Sequence, residues 1–134
     1  MEERRITPEK ITQLKDDEVF VYGANLKGAH GLGAAKLALE KFGAVYGKGI
    51  GFQGQSYGIP TKDLNIKTLS IEEIKEYVDE FIDFARNNKD KKFFVTEIGC
   101  GLAGYNPKDI AGLFSGTLDM KNVFLPERFL NEII

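Results

Sequence analysis

Twice in this chain a short apolar run passes straight into a glycine-rich loop that opens a helix. Val19-Phe20-Val21-Tyr22 leads into Gly23, and the stretch GAHGLG from Gly28 to Gly33 precedes Ala34, Ala35, Leu37, Ala38, Leu39 and Phe42 at helical spacing, with Gly43 as the stop. Further on, Phe93-Phe94-Val95-Thr96 leads into IGCGLAGY, Ile98 to Tyr105, after which Asn106 and Pro107 predict a helix through Leu113. Four-residue apolar runs bounded by turn residues read as buried strands. Strands alternating with helices predict an α/β fold whose central sheet is mostly parallel with helices on both faces. Ligands bind such sheets at the carboxyl ends of the strands, where both glycine loops leave.

The remaining elements fit between these landmarks. Thr7 as N-cap with Pro8 at the first helical position predicts a short helix bearing Ile11 and Leu14. Ser56 to Ile59 predicts a brief strand ending at Pro60. Ser70 and Glu73 form a capping box, and Ile74, Tyr77, Val78, Phe81, Ile82 and Ala85 share one helical face behind it. Asn122 to Leu125 predicts an edge or closing strand, and the tail from Glu127 is too short to assign. With 134 residues and no repeat, linker or break in composition, the expectation is one domain over 1–134.

Composition removes several function classes. Eighteen basic against twenty acidic residues, net −2, provide no positive field for bulk nucleic-acid binding. The apolar runs fall far short of the roughly 20 residues of a membrane span, so no membrane partner is expected. One cysteine and one histidine cannot build a usual zinc site, and no metal is expected. Cys100 has no internal partner and the start of the chain does not read as a signal peptide, which predicts a cytoplasmic location.

A small anion remains, because backbone N–H groups bind phosphate whatever the net charge. Gly99, Gly101 and Gly104 allow successive N–H groups to turn toward one centre, and the helix from Pro107 is expected to add its dipole. These glycines would also serve a plain strand-to-helix turn. The first loop reads GxxGxG rather than the GxGxxG of dinucleotide binding, and the chain contains no GxxxxGK[ST], which disfavours dehydrogenase and P-loop readings.

Together the loops resemble those of macro domains. Val21-Tyr22-Gly23-Ala24-Asn25 with its glycine loop is similar to the VNAAN segment of that family, and IGCGLAGY is similar to its phosphate loop. The branch that removes ADP-ribose from acidic side chains also begins this loop IGCGL and carries an ITK-like segment, here Ile59-Pro60-Thr61-Lys62. The resemblance implies a three-layer αβα domain that binds ADP-ribose or a related NAD-derived nucleotide without a cofactor, with an ADP-ribosylated macromolecule as a further partner. It places Asn25 beside the distal ribose and Gly31, Leu32 and Gly33 at the close approach to that sugar. Gly99, Cys100, Gly101, Leu102, Ala103 and Gly104 would cradle the diphosphate, and Tyr105 would pack against the distal ribose or anchor its loop.

As an enzyme the chain would be an ADP-ribosyl glycohydrolase. Lys62 is then the candidate nucleophile, with His30 as a second catalytic candidate, against the alternatives of a surface lysine and a solvated loop histidine. Two departures stand out. Ala103 occupies the position where the branch places an acidic residue, and no residue matches the aspartate that receives the adenine amino group, Asp16 and Asp17 reading as a turn. Cys100 lies where N–H groups could lower a thiol pKa, or it simply fills space. The rival functions are a non-catalytic reader and an interaction module without nucleotide.

Overall fold

The computed structural model describes residues 4–134, and its centre is a five-stranded sheet in the order β2-β3-β1-β4-β5. The strands are β1 (Glu18–Asn25), β2 (Gly51–Gln53), β3 (Ser56–Lys62), β4 (Lys92–Val95) and β5 (Val123–Phe124). β1 pairs in parallel with β3 and β4, and β4 with β5; only β2 runs antiparallel, against β3. The helices are α1 (Gly33–Lys41), α2 (Ile71–Arg86), α3 (Pro107–Ile110) and α4 (Glu127–Ile133), with a 3-10 helix at Ala111–Thr117. None of the helices is long and apolar enough to cross a membrane.

β1 is apolar on both faces because both are covered. Val19 and Val21 join Tyr57, Ile59, Phe93 and Val95 beneath α2, the 3-10 helix and α4. Phe20, Tyr22 and Ala24 face the other way, with Ala38, Phe42 and Ala44 from α1 and the turn after it. Helices therefore occupy both faces of the sheet. α2 is the main cover: Ser70 and Glu73 form the predicted capping box, and Phe81 is fully buried with ring centroids 5.2 Å from Tyr57 and 5.5 Å from Phe93. Truncating such a side chain to alanine costs about 3–5 kcal/mol.

Three expectations need correction. Residues 7–15 form no helix. Thr7 instead donates its N–H to the Leu125 carbonyl and its hydroxyl to that of Val95, beside an Ile6–Leu125 bridge that extends the β5 edge. Two apolar residues cannot meet the cost of nucleating a helix, whereas these bonds reward an extended chain. β3 continues through Pro60 to Lys62, because Pro60 lies beyond the stretch paired with β2 and beside the irregularity at Ala24/Asn25, where a missing N–H is tolerated. The helix from Pro107 stops at Ile110 and tightens into the 3-10 helix.

The chain crosses the sheet in a way that opens a crevice. From β1 it goes to α1 on one face; from the adjacent β4 it goes to α3 and the 3-10 helix on the other. Neighbouring parallel strands whose connections part in this way leave a gap beyond their carboxyl ends.

Candidate functional site

The first loop is held by its own backbone. Asn25 is tied to Ala29 twice, its Nδ2 donating to the carbonyl at 2.9 Å and its Oδ1 accepting the N–H at 3.0 Å. Gly28 (φ +78°) packs so tightly that a Cβ would stand 2.2 Å from the Gly47 carbonyl carbon, and a Cβ on Gly49 would stand 1.8 Å from the Asn25 oxygen. Gly31 differs: its backbone conformation is ordinary and a Cβ would meet nothing within 4 Å. Leu32 is the N-cap of α1 and provides no capping side chain. The first backbone bond here runs from Lys36 to the Leu32 carbonyl, which leaves the N–H groups of Gly33, Ala34 and Ala35 at the open end of the helix.

The second loop turns on backbone bonds from Cys100 to Glu97, Gly104 to Gly101 and Tyr105 to Gly99. Gly99 (φ +78°) lies against Ile110, where a Cβ would be 3.2 Å from Cδ1. Gly101 resembles Gly31 in its ordinary conformation and open surroundings. Among the described residues nothing accepts a hydrogen bond from the N–H groups of Gly101, Leu102 or Ala103.

Both loops line one cleft of about 560 Å³, within the roughly 300–1,000 Å³ of small-molecule sites. Its walls include Asn25, Gly31, Leu32 and Gly33 from the first loop and Gly99 through Ala103 from the second. Lys62 joins them from the end of β3. Gly104 and Tyr105 are not in the wall, and the Tyr105 hydroxyl donates to the Leu69 carbonyl at 2.6 Å, which makes it a loop anchor. The N-terminus of the four-residue α3 does not reach the cleft either; the helix end that does is that of α1.

Lys62 is half-buried and has no acidic partner among the described residues. Its neighbour Asp63 turns away to accept the N–H groups of Asn65 and Lys67, and these bonds hold its carboxyl below the usual range. The other charged residue of the wall, Glu97, is gripped by the Arg128 guanidinium through Nε and Nη2, which keeps its carboxyl low as well. Burial, reinforced by Glu97, pushes the Cys100 thiol up to about 11, in line with the space-filling alternative rather than a lowered thiol pKa.

His30 lies behind the cleft rather than in its wall. It is 4% exposed, its Nε2 is 3.1 Å from the Tyr22 hydroxyl, and its ring packs between Tyr22 and Tyr46. Its Nδ1 is buried without a hydrogen-bond partner. Burial lowers its pKa, with the Gly28 backbone working against that, and burial raises the Tyr22 phenol to about 12.

Sequence reasoning missed Glu97, Arg128 and Ile66. No spacing pairs Glu97 with Arg128, 31 positions away. Ile66, in the cleft wall, has φ +60°, a conformation that β-branched residues rarely adopt. Among the described residues no group of three or more His, Cys, Asp or Glu could hold a metal ion. In comparison with known proteins, no family model, curated protein or solved structure matches the chain.

Proposed function

We propose that this chain binds ADP-ribose or a related NAD-derived nucleotide diphosphate, on a three-layer αβα scaffold of the macro-domain kind. One observation carries the reading: two sets of N–H groups without acceptors, at the start of α1 and at Gly101 to Ala103, belong to the wall of one cleft. Diphosphate oxygens satisfy such donors, and the helix dipole favours their charge. Gly31 and Gly101 support the same reading, since the fold requires a glycine at neither position and a ligand in close contact would. An interaction module without nucleotide gives no reason for the open donors.

Within this reading, binding without turnover ranks first. Ala103 offers no carboxylate, burial holds the Cys100 thiol above its ordinary pKa, and His30 is shielded from the cleft. Lys62 favours hydrolysis as the second reading, because it lines the cleft without an acidic partner. The ADP-ribose would then be attached to a macromolecule.

Calorimetry with ADP-ribose, ADP and adenosine tests the proposal. Binding by both diphosphates and much weaker binding by adenosine is the expected order. Adenosine binding as well as ADP-ribose would remove the diphosphate from the cleft. Release of ADP-ribose from a modified carboxylate, lost in Lys62→Ala while free ADP-ribose still binds, would put the enzyme ahead of the reader.

A further inference from the structure

At the opposite pole of the sheet, by the amino ends of β4 and β5, a second concavity of about 440 Å³ is lined by Arg86, Lys89, Asp119, Met120, Lys121 and Asn122. Its three cations come from two separate segments: the end of α2 with its following turn, and the residue pair just before β5. Cations near a helix C-terminus ordinarily serve its free carbonyls. Here that task falls to Asn122, whose Nδ2 donates to the carbonyls of Ala85 at 3.0 Å and, in the following turn, Asn88 at 3.3 Å, and to Asn88, whose Nδ2 donates to the Phe84 carbonyl at 2.8 Å. Arg86, Lys89 and Lys121 are left exposed and, among the described residues, without an acidic or carbonyl partner. The protein thus gathers three free cations around one hollow although its net charge is −2.

We propose that this groove is a second anion site, separate from the nucleotide cleft, and that it takes a small oligophosphate. Three converging cations suit a ligand with several phosphate charges, which guanidinium and ammonium groups both bind. A polynucleotide fits less well. The hollow is bounded, Asp119 stands in its wall, and the chain as a whole provides no positive field to hold an extended backbone.

The test is a titration of the full chain with sodium tripolyphosphate, followed by amide chemical shifts. Shifts at residues 86–92 and 119–122 that saturate independently of those at 31–35 and 99–103 are expected. The Lys89→Ala/Lys121→Ala double variant should weaken the groove about tenfold, the loss of two charge-assisted contacts at an exposed site, and leave the cleft shifts unchanged. Asp119→Asn should tighten it. Shifts confined to the cleft at millimolar ligand, or a groove indifferent to all three substitutions, overturn the proposal. So does a short oligothymidylate that shifts the groove amides at lower concentration than tripolyphosphate, since the occupant would then be a nucleic-acid backbone.

Discussion

The two glycine loops leave adjacent parallel strands and line the same cleft, yet they are held in different ways. The first is locked by contact: Gly28 against Gly47, Gly49 against the Asn25 carbonyl, both polar atoms of Asn25 on Ala29, and His30 buried between two tyrosines. The second is held by two tight backbone turns and the Tyr105–Gly99 backbone bond, and braced from outside by the Thr68 hydroxyl on the Ala103 carbonyl, Tyr105 on Leu69, and Arg128 on Glu97. One loop is part of the packed structure; the other is a frame around open donors. Glycines that look alike in the sequence therefore do different work, and substitution separates them.

The largest effect is expected inside the first loop. Gly28→Ala combines φ +78° with a Cβ 2.2 Å from backbone that cannot yield, which should cost about 3 kcal/mol or more and can unfold the protein. Gly31→Ala, three residues on, should leave the melting temperature nearly unchanged. Equal melting temperatures for the two variants would mean that the loop is not locked at Gly47.

Next comes Gly101→Glu in the second loop. The side chain enters open space in the cleft with a backbone conformation that any residue adopts, so the fold should persist. Its bulk and charge fall where phosphate is proposed to bind, and affinity for ADP-ribose should drop by about 100-fold or more. Unchanged affinity in the folded variant would falsify the assignment of the second loop to the diphosphate.

The architecture that creates these loops was legible because strand, loop and helix each left a local signal: apolar runs at β1 and β4, and the Ser70–Glu73 box at α2. The ordering of roles within the loops was not. That Asn25 would spend its amide on Ala29 depends on how four residues curl rather than on any spacing motif, while Tyr105 serving Leu69 and α1 providing the useful helix end depend on distances between parts far apart in sequence. β2 escaped for a similar reason. Three residues among glycines become a strand only through pairing with Ser56–Gly58. Thr7 misled because a good cap signal stood before too short a stripe.

The buried His30 makes the first loop the acid-sensitive one. A histidine whose folded pKa lies below its ordinary 6.5 takes up its proton more readily when unfolded, so unfolding is favoured as pH falls through 6.5 toward the folded value. Stability should therefore be full above pH 7 and decline as pH falls below 6.5. Asp63 and Glu97, both depressed, add their own losses only at lower pH, in the carboxylate range. Thermal melts from pH 8 to 5 check this, with His30→Gln expected to flatten the upper part of the curve. A profile equally steep in that variant would show that His30 is not the source of the acid sensitivity.

The smallest effect concerns the brace of the second loop. Ile66 holds φ +60° in the turn from Asp63 to Lys67, two residues before the Thr68 that supports Ala103, and its side chain lies in the cleft wall, 40% exposed. A β-branched residue in the left-handed region costs roughly 1–2 kcal/mol, and asparagine accepts that region more readily. Ile66→Asn removes most of this strain and gives up only a partly buried side chain, so the melting temperature should rise by about 2–4 °C. The same substitution takes an apolar group from the wall, and ADP-ribose affinity should fall about threefold. Stability and binding would then move in opposite directions, the behaviour of a residue kept strained for the cleft. A lower melting temperature would show instead that the packing of Ile66 outweighs its strain, and the brace would belong with the first loop among the parts that are simply packed.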